Sequence, residues 1–237
     1  MQNYNEMLMQ DIRFQEGLNA CMNCGVCTAI CPAAEFYDYD PRKIVDLVQS
    51  GDNNEIEKLL KSETIWYCGE CMSCKTRCPR GNTPALVVMS LRSLSQKLGF
   101  FTESEKGRQQ FAIKRTVGEN IFKYGYCVAT YAVSPEMHLE QGPIWEYILD
   151  HTRDVYERLG GGHVNELGEG PLRLIPDDAK EELKKIFEVT GGNDLFNKIE
   201  DYSRAKANEM GLKFEDDGID NEYFTEVFTA NNKKHSV

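Results

Sequence analysis

Eight of the nine cysteines fall into two runs with the same spacing. The first is Cys21-x-x-Cys24-x-x-Cys27-x-x-x-Cys31-Pro32, and the second is Cys68-x-x-Cys71-x-x-Cys74-x-x-x-Cys78-Pro79. Thiolates repeated at this interval are the bacterial pattern for a pair of [4Fe–4S] clusters. Each cubane has four iron corners, and three cysteines two residues apart wrap one tight coil round three of them. The fourth corner lies beyond that coil, so in two-cluster proteins the fourth cysteine ligates the other cluster. The spacing therefore predicts Cys21, Cys24, Cys27 and Cys78 on one cluster. It predicts Cys68, Cys71, Cys74 and Cys31 on the other. The chemistry of such a pair is passage of electrons, and no separate catalytic constellation is legible.

Two other uses of paired cysteines fit poorly. Zinc sites draw cysteine pairs from separated knuckles, not three thiolates from seven residues twice over. A disulfide framework would leave one of nine cysteines unpaired, and no export signal is read in residues 1–10. The residues around the motifs carry their own expectations. Pro32 and Pro79, with a fixed φ, turn the chain away after each fourth ligand. Gly25 and Gly69 let the backbone approach a cluster closely. Phe36, Trp66 and Tyr67 are expected to shield the clusters from water, which affects their potential. Lys75, Arg77 and Arg80, around Cys78, are expected to favour the reduced, more negative cluster, or else to serve solubility. The ninth cysteine, Cys127, sits in apolar company and reads as a buried inert thiol. His151 reads as a satisfied structural histidine on the apolar side of a helix. His138, His163 and His235 form no metal spacing.

The elements that position the motifs are helical. Residues 4–14 read as a short helix using Met7, Leu8 and Ile12. Asp40-Pro41 is a helix start, with Ile44, Val45 and Val48 facing inward and Gly51 as the stop. Ile56, Leu59 and Leu60 mark a second helix. Thr83-Pro84 opens a third along Val87, Leu91, Leu94 and Leu98, closed by Gly99. Residues 32–67, 36 in all, separate Cys31 from Cys68 and hold two of these helical patterns. A compact βαββαβ ferredoxin has a shorter, strand-bearing connection there. The expected fold is therefore mainly α, with a helical ferredoxin domain binding two clusters in residues 1–100.

With 237 residues, 27% of them charged, and a net charge of −11, the chain has room for a sizeable core and is a poor partner for nucleic acid or anionic membranes. The longest apolar run, Ala85 to Met89, is far too short to enter a bilayer as a span. A cytoplasmic setting, where thiolates stay reduced, is expected.

Residues 1–100 resemble the C subunit of heterodisulfide reductase. The resemblance rests on Leu18-x-x-Cys21 to Pro32, on Asp40-Pro41-Arg42-Lys43, and on Trp66-x-Cys68 to Cys78-Pro79-Arg80-Gly81. It implies a non-catalytic electron-transfer subunit, relaying between a flavin-bearing A subunit (a flavoprotein) and a cysteine-rich B subunit. The latter carries the disulfide-cleaving site. The helical cluster fold also occurs in the iron–sulfur subunits of fumarate reductase and succinate dehydrogenase. Those have a plant-type [2Fe–2S] motif upstream, for which there is no room here.

Residues 101–212 read as a helical extension beyond the short methanogen-type form. Thr102-x-x-Glu105 is a capping box. Lys106, Arg108, Lys114 and Arg115 make either a solvated basic face or a docking patch for an acidic partner. Pro143 starts a helix through Leu159, and the glycines of 160–171 read as a linker without the strand a phosphate loop needs. Two more helices follow, one with a Glu181–Lys185 surface pair, the other ending at Gly211. Residues 213–237 form an acidic and polar tail, with Tyr223, Phe224 and Phe228 as a docking arm. This longer form, with Asp150 to Asp154, resembles the C subunit of the heterodisulfide-reductase-like complex of sulfur oxidisers, which implies oxidation of carrier-bound sulfur. The alternatives are an electron-transfer subunit of another oxidoreductase or a free di-cluster ferredoxin.

Overall fold

The computed structural model of the chain describes residues 2–127, 135 and 141–230, which contain helices and turns but no β-strand. The mainly α expectation holds. The chain divides into two compact units, Met1–Gln110 with Asp201–Lys206, and Phe111–Glu200 with Ala207–Val237.

The first unit opens with α1 (Tyr4–Met9) and α2 (Ile12–Gly17). These replace the single helix expected over residues 4–14. Asp11 accepts a hydrogen bond from the Arg13 N–H and so starts a new helix, turning Phe14 inward and leaving Ile12 exposed. Two single-turn helices follow the first cysteines, α3 (Val26–Ala29) and α4 (Ala33–Phe36). Then comes α5 (Pro41–Ser50) as expected, capped by Asp40 and stopped by Gly51 at φ 69°. Next is α6 (Asn53–Leu60), capped by Asp52 and burying Ile56, Leu59 and Leu60. Finally α7 (Pro84–Leu98) ends at Gly99. That glycine has two reasons to be one. Its φ is 81°, and a Cβ would meet Tyr202 Cδ1 at 2.5 Å.

Helix α7 is the spine, packing against α1, α2, α5 and α6. Leu8, Phe14, Ile44, Val48, Ile56, Leu60, Val87 and Leu91 form one buried cluster. Each such side chain contributes about 1.5–3 kcal/mol by leaving water. The core therefore fixes α5 and α7, the two helices that hold the cysteine loops.

Downstream, α8 (Glu105–Ile113) opens on Ser104, whose Oγ accepts from the Gly107 N–H at 3.2 Å. Thr102 is not the cap; it lies in a preceding 3₁₀ turn and its hydroxyl donates to the Gly99 carbonyl. In the second unit a π-helical stretch, Lys114–Gly118, leads into α9 (Glu119–Tyr124). The helix expected from Pro143 to Leu159 is two, α10 (Pro143–Asp150) and α11 (Thr152–Arg158), broken at His151. His151 is exposed rather than on an apolar side. Its ring stacks on Tyr147 at 4.2 Å and its Nδ1 meets the Tyr147 carbonyl. Residues 160–171 close on themselves through a Gly162 N–H to Pro171 carbonyl bond of 2.7 Å. Helices α12 (Asp177–Val189), α13 (Gly192–Met210) and α14 (Glu222–Thr229) complete the unit. On α12, Glu181 pairs with Lys184 rather than Lys185.

Two expectations for this unit are corrected. Lys114 and Arg115 are neither a solvated face nor a docking patch. Arg115 is 3% exposed, with bonds of 2.7 Å from Nε and Nη2 to the two Glu200 oxygens, and Lys114 joins the same carboxylate at 2.7 Å. A buried guanidinium cannot exist without such a partner, so the sequence charge is spent internally. Nor is the aromatic tail a docking arm. Tyr223, Phe224 and Val227 are buried, and Phe111 contacts the rings of Phe214, Tyr223 and Phe224.

Candidate metal centre

The eight motif cysteines ring two cavities. One is lined by Cys21, Cys24, Cys27 and Cys78, together with Arg42, Arg80 and Asn82. The other is lined by Cys31, Cys68, Cys71 and Cys74, together with Tyr39 and Ala85. Their volumes match, about 360 and 350 Å³ with their open mouths included. Among the described residues no three His, Cys, Asp or Glu side chains converge closely enough to hold one ion.

The two loops share one backbone conformation. Asn23 and Glu70, each two residues after the first cysteine of its run, have φ of 57° and 52°. Each N–H points back to that cysteine's sulfur at 3.4 Å, Asn23 to Cys21 and Glu70 to Cys68. Gly25 and Met72, again equivalent, have φ of 79° and 61°. Repeated left-handed residues turn successive N–H groups to one side, a nest suited to an anionic group such as an iron–sulfur cluster. Gly25 is thus explained by its left-handed φ, whereas Gly69 shows neither a positive φ nor a close neighbour within the chain.

Each loop is held by one helix. Helix α5 grips the first at three points. Asp40 accepts from the Thr28 hydroxyl, Arg42 donates to Asn23 Oδ1 at 3.0 Å, and Gln49 Oε1 accepts from the Cys21 N–H at 2.6 Å. Helix α7 grips the second through Arg92. Its guanidinium donates to the carbonyls of Ile65 at 2.7 Å and Cys68 at 2.6 Å, and to Glu70 Oε1 at 2.6 Å.

The cavities also present buried side-chain donors. Asn82 Nδ2 is buried with no hydrogen-bond partner in the chain, and the buried Tyr39 Oη has none beyond the neighbouring Cys68 sulfur. A buried donor left so costs about 1–3 kcal/mol, and an acceptor-rich sulfide cluster in each cavity would remove that cost. Burial pushes the Cys27 and Cys74 thiols up, while the Ser73 hydroxyl and N–H hold Cys71 down. Iron takes thiolates, so loading a cluster at these groups would displace their protons. Thiol donor sets, N–H nests and buried donors all fit a pair of cubanes.

The aromatic reading is corrected in part. Phe36 is 73% exposed and lines neither cavity. Trp66 and Tyr67 are half-buried; Trp66 lies under Arg92 at 5.5 Å, and Tyr67 stacks on Tyr37 at 4.4 Å. Neither lines a cavity; the aromatic that does is Tyr39. Of the basic trio, Arg80 lines the first cavity, and its Nε donates to the Ala20 carbonyl; Lys75 and Arg77 are outside both linings. Cys127 is exposed, contrary to the buried thiol expected, because its short apolar neighbourhood follows the end of α9 rather than continuing a helix. His138 and His235 lie outside the described residues. Tyr39, Asn82 and Arg92 were missed. Only the Asp-Pro and Thr-Pro signals beside Tyr39 and Asn82 hinted that they enter the helices framing the site.

These features define a helical protein built round two iron–sulfur cavities, and its likeness to known proteins agrees. The profile of the 4Fe-4S dicluster domain matches residues 17–82, and the chain binds two [4Fe–4S] clusters. The C subunit of ferredoxin:CoB-CoM heterodisulfide reductase from Methanosarcina acetivorans is 32% identical over 210 residues, 88% of this chain and 75% of that protein. The C subunit of H(2):CoB-CoM heterodisulfide,ferredoxin reductase from Methanothermobacter marburgensis is 34% identical over 180 residues, 76% of this chain and 78% of that protein. The chain belongs to the family of heterodisulfide reductase C subunits, as an iron–sulfur electron-transfer subunit. Both relatives come from methanogens and match well past 100 residues. Length beyond residue 100 therefore does not set this chain apart from the methanogen form. Among the described residues no helix is long and apolar enough to cross a membrane.

Proposed function

We propose that the eight motif cysteines are the ligands, four to each cluster. Cys21, Cys24, Cys27 and Cys78 hold one, and Cys68, Cys71, Cys74 and Cys31 the other. The observation that carries this is the lining of the two cavities, each with three cysteines of one run and the fourth of the other. When bound, the clusters supply one-electron exchange. The chain holds them close together, with Cys31 and Cys78 tying each loop to the other's cavity.

Membership of the C-subunit family supports the physiological reading. The protein relays electrons between a flavin-bearing A subunit and a cysteine-rich B subunit, in the cytoplasm, where thiols stay reduced. Cluster binding belongs to residues 1–100, and the extension serves the assembly. The disulfide or carrier-bound sulfur is handled by the partner, and the partners set the direction of flow. Anaerobic purification of the native complex tests this. About eight iron and eight sulfide per chain are expected, together with a flavoprotein and a cysteine-rich chain. A chain running alone contradicts the relay, and zinc in place of iron contradicts the ligands.

A further inference from the structure

Tyr39 and Asn82 sit in the loops that lead into α5 and α7, and each brings one buried side-chain donor to one cavity. Asn82 is 2% exposed, and Tyr39 3%. The orientation of Asn82 is fixed, because its Oδ1 accepts from the Asn19 N–H at 2.7 Å and only an oxygen can do so. Its own backbone N–H donates to Cys78 Sγ at 3.3 Å. That leaves Nδ2 as the side chain's remaining donor, without a partner in the protein, at the wall of the first cavity. Tyr39 lines the second, next to Cys68 and Cys31. Trp66 Nε1, likewise buried without a partner, lines neither cavity.

We propose that Tyr39 Oη–H and Asn82 Nδ2–H donate to the sulfurs of the bound clusters, one donor per cluster, and set the two potentials separately. A hydrogen bond to cluster sulfur strengthens as the cluster gains negative charge. It therefore favours the reduced form and raises the potential. Two different donors, a phenol and an amide, give a single chain two unequal acceptors. The backbone nests are nearly the same in both loops, so these side chains are among the features that distinguish the sites.

This rests on the ligand assignment above, and the test separates the two. The holo-protein of Tyr39→Phe is titrated anaerobically, with both clusters followed by EPR. The reduction equilibrium of the cluster held by Cys68 is expected to fall about tenfold, ~59 mV for one electron; the other cluster is unmoved. Asn82→Leu should do the converse. Iron stays at about eight per chain in both. Should Asn82→Leu lose iron, hyperfine spectroscopy of the wild-type protein with ¹⁵N-labelled asparagine reads the amide directly. Coupling to the first cluster is expected. Full iron with unmoved potentials, an equal shift of both clusters, or no ¹⁵N coupling overturns this inference while leaving the ligands intact. Iron below eight in the wild-type protein overturns the ligand assignment instead.

Discussion

Replacing Arg92 with methionine removes the clamp on the second loop while keeping most of the apolar stem. Three hydrogen bonds go, to the carbonyls of Ile65 and Cys68 and to Glu70. The arginine side chain is 18% exposed and the glutamate 37%. The ion pair is therefore screened and worth about 0–1 kcal/mol. The carbonyl bonds are charge-assisted, at about 1.5–3 kcal/mol each, less what water regains at the freed carbonyls. We expect a net loss of about 3 kcal/mol, roughly 100-fold in the folding equilibrium, and a melting point lower by about 6–12 °C for a chain of this size. Trp66 stands 5.5 Å from the guanidinium. Its fluorescence, in a Trp145→Phe background, reports the unfolding of this loop during an anaerobic urea titration. The cluster held by Cys68 should bleach before the other. A loss under about 0.5 kcal/mol, the ordinary range for surface changes, or simultaneous bleaching, refutes the clamp.

Other perturbations have equally definite outcomes. Glu200→Gln strips the buried Arg115 of its counter-charge and should cost about 3–5 kcal/mol, read by urea denaturation at pH 7. Burial by itself would raise the Glu200 carboxyl, but the bonds from Arg115 and Lys114 outweigh it and leave it below the usual range. Its contribution is therefore present above the unfolded value of about 4.3 and lost as the pH falls through the lower folded value, so wild-type protein and variant should converge in acid. Gly25→Ala forces a Cβ onto a φ of 79°. It should cost about 1–2 kcal/mol and slow iron loading of the first cavity only, as followed by absorbance during reconstitution. Cys127→Ser should leave iron content and both potentials unchanged, because this thiol is exposed and lines neither cluster cavity. In wild-type holo-protein the same thiol should be the one that reacts rapidly with an alkylating probe, as read by peptide mapping.

What could be read from the chain was what is decided locally. Asp40-Pro41 and Gly51 bound α5, and Pro84 and Gly99 bound α7, because caps and left-handed stops act within a turn of their own residue. The cysteine interval works the same way. Tyr39, Asn82 and Arg92 gave no such signal. A tyrosine or an asparagine before a helix start and an arginine in mid-helix are common, and these act only because folding brings them against loops up to 63 residues away. The second unit was read worst for the same reason. Nothing near Arg115 announces Glu200, which is 85 residues distant. Nothing in Tyr223-Phe224 says that Phe111 is already there to cover them. Met72 shows another limit, since a methionine adopts the left-handed φ that its counterpart Gly25 advertises.

The exchange of fourth ligands between the two runs is tested most directly by serine at Cys78, beside serine at Cys31 in a second preparation. Mössbauer and EPR spectra of each holo-protein distinguish the clusters, with Tyr39→Phe marking the one beside Cys68. Cys78→Ser should perturb the cluster held by Cys21, Cys24 and Cys27 and leave the Tyr39-sensitive signal intact, and Cys31→Ser should do the reverse. If each serine instead damages the cluster of its own run, the cysteines are not shared across the two motifs and the assignment fails.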